Sequence, residues 1–108
     1  ESTEGYIELT LEFRKNEKLN VWEARCVELG TATSADTFEQ AQEEILEFID
    51  LQLNTLKELG ERERFFKENG IQIKKKIPSA PKNLKIPRES GLLISNIIQP
   101  VSLHTALA

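Results

Sequence analysis

The stretch YIELTLEFR, Tyr6 to Arg14, alternates without a break. Ile7, Leu9, Leu11 and Phe13 fall on one side; Tyr6, Glu8, Thr10, Glu12 and Arg14 fall on the other. Successive side chains of a strand point to opposite faces, so this is a strand with one face to bury and one to leave wet. The polar run KNEK, Lys15 to Lys18, reads as a turn. LNVWEARCV, Leu19 to Val27, follows as a second strand with Trp22, Ala24 and Cys26 on one face. Two strands joined by so short a turn pair antiparallel. ELGTAT then offers a third strand of a few residues.

The cover for the apolar face comes next in the chain. From Thr37 to Leu59, the residues Phe38, Ala41, Ile45, Phe48, Ile49, Leu53, Leu56 and Leu59 recur at helical spacing, with Gln52 the polar exception. Thr37 with Gln40 three residues on matches a capping box. Glu39, Glu43 and Glu44 sit where the helix dipole favours negative charge, and Gly60 is a natural stop. Glu61 to Gly70 reads as a short second helix with Phe65 and Phe66 as its apolar contact. IQIKKKI, Ile71 to Ile77, reads as a basic edge strand. Pro78, Pro81 and Pro87 mark a linker, and Leu92 to Leu107 form an apolar arm interrupted by Pro100. An arm this apolar is expected to pack on the body or on another subunit.

The expected architecture is α+β: a small antiparallel sheet in the order β-β-β-α-(α)-β, a long helix on one face, and an extended C-terminal arm. Residues 1–77 form the domain, and residues 78–108 are an arm rather than a second domain. A length of 108 residues fits one modest core. No apolar run approaches the roughly 18 residues needed to span a bilayer. The start of the chain has neither a basic nor an apolar leader segment, and a single cysteine cannot close an intrachain disulfide; a cytoplasmic protein is the expectation. Charge is uneven: residues 1–73 carry 17 acids and 8 bases, and residues 74–108 carry 6 bases and 1 acid. The basic stretch containing Lys74, Lys75 and Lys76 offers a contact for an acidic surface, nucleic acid included, but no aromatics are interleaved with it. Lys74, Lys75 and Lys76, with Leu92, Leu93 and Ile94 on the arm, are the candidate binding residues.

Catalytic readings are thin. His104 is the sole histidine and has no nucleophile near it in sequence. Cys26 lies in a strand and behaves as a small hydrophobe. Cys26 and His104 together are too few for a zinc site, and Glu39, Glu43, Glu47 and Asp50 have the spacing of a solvated helix face. No enzyme activity, metal or cofactor is expected.

The run from Trp22 to Ile45, WEARCVELGTATSADTFEQAQEEI, resembles the signature of the HicB-like antitoxin family. Trp22, Ala24, Cys26 and Glu28 alternate out of the second strand; a turn, Asp36–Thr37, then Glu39 and Ala41 open a long helix. The resemblance covers about residues 6–60 and extends to GERERFFKENGI as in some stand-alone members. It implies a β-β-β-α-β partial ribonuclease-H-like fold without catalysis, and protein–protein masking of a small toxin that cleaves mRNA. It also implies dimers or tetramers. The chain departs from the family in having Ala35 where a glycine is usual. Residues 78–108 lack the amphipathic helices of the DNA-binding module that many members carry. The alternative expectation is an orphan oligomeric regulatory or structural protein without a toxin partner.

Overall fold

In the computed structural model, residues 4–77 and 91–103 are described. The readings of Pro78, Pro81, Pro87 and His104 lie outside them. The order of elements is β1 (Glu4–Asn16), β2 (Val21–Cys26), β3 (Thr31–Ala35), α1 (Phe38–Glu58), α2 (Arg62–Glu68) and β4 (Leu92–Ser102). The four strands form one antiparallel sheet in the spatial order β3-β2-β1-β4. The α+β expectation therefore holds, with the long helix packed on one face of the sheet.

β1 places Ile7, Leu9, Leu11 and Phe13 in the core, each no more than 2% exposed. α1 meets them with Ala41, Ile45, Ile49 and Leu53. That stripe advances four residues at a time. Phe48 and Leu59, expected on the same face, fall off it and are exposed. The helix begins as its local chemistry dictates: Thr37 is extended, and its Oγ1 accepts the Gln40 N–H at 3.1 Å. It ends in a Schellman arrangement. Gly60 has φ +68°, its N–H reaches the Lys57 carbonyl, and the Glu61 N–H reaches that of Leu56. Gln52, the one polar residue of the stripe, donates to the Leu29 carbonyl at 3.1 Å and accepts from the Thr31 hydroxyl. It therefore ties the helix to the β2–β3 turn.

Two parts of the fold differ from expectation. First, Ile71–Ile77 is not a strand; it makes a single bridge, with the Tyr6 N–H and carbonyl each bonded to Lys74 at 2.8 Å. β2 pairs β1 only from Leu11 to Asn16. The segment after α2 touches the stretch of β1 that β2 leaves open and then departs. Second, the last strand is the apolar arm itself, paired with β1 at every position from Glu4 to Arg14. Pro100 is tolerated there for a geometric reason. Tyr6 turns its backbone groups toward Lys74, so its partner Pro100 faces β1 in a non-hydrogen-bonded pair. The missing N–H of Pro100 thus lies on the outer edge, where no ladder bond is lost.

Candidate functional site

The helices cover one face of the sheet. On the other, Glu8, Arg14, Glu23, Arg25, Ala32 and Ser34 are exposed, and Thr10, Glu12, Leu92, Ile94 and Ile98 are half-buried. Register sorts these residues into columns. The β3 edge contributes small Ala32 and Ser34. The middle is charged: Glu12 opposite Arg25 and Arg14 opposite Glu23. The β4 edge is largely apolar, with Leu92, Ile94 and Ile98 half-buried and Asn96 exposed between the two isoleucines. Arg25 Nη2 lies 3.0 Å from Glu12 Oε1. Both groups are accessible enough for water to screen the pair, which contributes little to stability and leaves its charges available to a partner. A shallow open depression runs over Glu12, Arg14, Glu23, Arg25, Ser34 and Leu92.

The residues of the signature stretch have framework roles. Trp22, Ala24 and Cys26 face the helix as expected, and Arg25 faces away. Trp22 meets Phe38 edge-on at 5.3 Å between ring centres, with Lys15 Nζ 5.8 Å over its ring. Glu28 takes the place of a strand. Beyond Cys26, where β2 has left β1, its two carboxylate oxygens accept the Thr10 N–H at 2.7 Å and the Thr10 hydroxyl at 2.8 Å. A backbone donor that would otherwise face an open notch is satisfied. Thr37 caps α1, Asp36 is exposed beside it, and Ala41 is fully buried where α1 lies on the sheet.

The candidate binding residues part company. Lys74 is held through its backbone to Tyr6 and lies 3.6 Å from Glu8 through its ammonium group; Lys75 and Lys76 are exposed. Leu93 turns inward and packs against the core, whereas Leu92 and Ile94 belong to the uncovered face. The charged middle of that face was not singled out from the sequence. Its signal is the polar half of each strand's alternation, but which charges sit side by side depends on register. Arg62 was also missed: it is 3% exposed, 3.3 Å from Glu63, and among the described residues its Nε has no hydrogen-bond partner.

Cys26 is fully buried. Burial pushes its thiol above the ordinary value of 9.0; the backbone N–H of Leu29 offsets part of this, the nearby Glu28 charge adds to it, and the Glu28 N–H opposes it least. The thiolate, which is the nucleophilic form, is disfavoured. Native protein at mildly alkaline pH is expected to react with a thiol reagent such as Ellman's only on the timescale of opening, and stoichiometrically once denatured. Rapid native labelling would show an accessible thiol. Among the described residues, no group of three or more His, Cys, Asp or Glu side chains could hold a metal ion, and no helix is long and apolar enough to cross a membrane. Comparison with protein-family models, curated proteins and solved structures found no match to this chain.

Proposed function

We propose that this chain is a non-enzymatic protein-binding module of the HicB-like antitoxin type, which neutralises a small, basic, mRNA-cleaving toxin in the cytoplasm by protein–protein contact. The observation that carries the reading is the uncovered sheet face: paired charges in the middle, an apolar column along β4, and a rigid helix-backed support beneath. A surface of this kind suits a protein partner, with apolar contact supplying affinity and flanking charge supplying orientation and on-rate. The acidic balance of residues 1–73, −9 by formal charge, suits a basic partner. An interface of about 1,600 Å² in total would make the complex stable.

The test is to co-express the chain with a small basic reading frame adjacent to its gene, purify any complex, and assay mRNA cleavage by the partner with and without this chain. The expected result is a complex that suppresses cleavage. Reversing Glu12 and Glu23 to Lys is expected to weaken it roughly 10–100-fold through lost steering and new repulsion. The same change at Glu47, on the outer side of α1, should leave it nearly intact. No complex and no suppression would overturn the antitoxin reading. A complex indifferent to Glu12 and Glu23 would move the interface off this face.

A further inference from the structure

Among the described residues β4 is an edge strand, and its central run from Ile94 to Ile98 has no strand on its outer side. The ladder to β1 uses the odd residues: Leu93, Ser95, Ile97, Gln99 and Val101 pair with Phe13, Leu11, Leu9, Ile7 and Gly5. The even residues therefore turn their backbone groups outward. Among the described residues, nothing hydrogen-bonds to the outward backbone groups of Ile94, Asn96 and Ile98. Protein edges of this length are normally protected by a charge, a bulge or a covering element. The eleven residues of β4, LLISNIIQPVS, carry no charge, and among the described residues the guard on its central run is Pro100 near the end. The opposite edge is different: β3 has five residues, of which only Ala32 and Ser34 turn outward.

We infer that the β4 edge pairs with the β4 edge of a second copy of this chain, antiparallel across a two-fold axis through Asn96, so that two four-stranded sheets become one. The sequence of the strand selects a second copy as occupant. In this register Asn96 faces its own counterpart, and Ile94 faces Ile98 of the other copy; each outward amide meets an outward carbonyl. On the uncovered face, Ile94 and Ile98 of the two copies lie side by side, joining their apolar columns into one patch across the axis. On the helix side, Ser95 stands opposite the other copy's Ile97. Pro100 falls outside this central run, where it limits the pairing to the segment that can bond. The absence of charge from β4 means that no like charges meet within the joint. This inference does not rest on the antitoxin reading: the joint uses the outward backbone of β4 and the test of partner binding uses Glu12 and Glu23, so although Ile94 and Ile98 border both surfaces, loss of either leaves the other testable.

Pro100 also supplies the variant that tests it. A proline at an outward position already fits this strand, so Asn96→Pro removes an N–H that β1 does not use. The measurement is sedimentation equilibrium or light scattering on the full chain at high micromolar concentration, with circular dichroism as the check on folding. The full chain is expected to show a two-chain mass, and Asn96→Pro a one-chain mass with unchanged secondary structure. Asn96→Cys fixes the register without relying on proline. A hydrogen-bonded antiparallel pair sets its Cα atoms about 5.5 Å apart, inside the roughly 4.4–6.8 Å that a disulfide spans. With Cys26 buried, mild oxidation should convert this variant to a covalent dimer. A one-chain mass for the unaltered protein would overturn the inference, including the case in which the edge takes up a foreign strand instead. So would a dimer that survives Asn96→Pro, or a dimer in which Asn96→Cys fails to cross-link.

Discussion

A chain cut after Ile77 is expected to lose its cooperative fold. The cut removes β4, which pairs β1 at every position from Glu4 to Arg14. Three core contacts leave with it: Leu93 and Ile97, which pack on the buried cluster, and Val101, itself buried. At about 1.5–3 kcal/mol for a fully buried side chain, and less for the two that are half-buried, the lost burial comes to roughly 4–6 kcal/mol. Ile7 and Leu9, now 0% and 1% exposed, would line a new edge. The backbone groups of Gly5, Ile7, Leu9, Leu11 and Phe13 would exchange ladder bonds for water. Domains of this size have only about 5–15 kcal/mol in total, so the cut should leave little or nothing of the transition. Circular dichroism and a urea titration of the two chains make the comparison. A truncated chain that melts cooperatively within a few degrees of the full one would show that residues 1–77 are self-sufficient and that β4 is an addition to them.

That result bears on what a sequence can disclose. β1 was legible because its message is local: four apolar residues at alternate positions declare both a strand and its buried side. α1 was legible because Thr37 and Gly60 mark its ends with chemistry contained in a few adjacent residues. β4 was not. Its partner β1 lies far back in the chain, and Pro100 reads locally as a breaker. Only once register is known does its missing N–H turn out to face away from the ladder. The strand expected at Ile71–Ile77 failed for the converse reason. Its alternation is genuine, with Ile71 buried and Ile73 against the core, but β1 offers it only a short free stretch. The uncovered face was half legible: Glu8, Glu12 and Arg14 were expected on the wet side of β1. That Arg25 would stand against Glu12, and that Leu92 and Ile94 would join them while Leu93 turned inward, follows from pairing between distant segments. Arg62 gave no local sign of burial, since a charged residue at the start of a short helix is ordinarily solvated.

The one-sided character of the sheet can be tested at two adjacent residues. Phe13 and Arg14 are neighbours in β1 and point to opposite faces. Phe13→Ala is expected to cost about 3–5 kcal/mol, the range for deleting a buried aromatic ring and leaving a cavity. Phe13 is 2% exposed, and its ring lies 5.0 Å from that of Phe38 at an angle of 59°, with Phe38 in turn against Trp22. Trp22 is only half-buried at the margin of this cluster, so Trp22→Ala should cost less than Phe13→Ala despite the larger side chain. A double-mutant cycle between Phe13 and Phe38 should return a coupling of about 0.5–1.5 kcal/mol, beyond the burial of each ring. Arg14→Ala should stay within about 0.5 kcal/mol of the unaltered chain, as an exposed position remote from the core does. Urea midpoints at constant slope report all four values. If Arg14→Ala cost as much as Phe13→Ala, the charged face would have to be covered in solution, and a surface that is already covered cannot be the one a partner meets.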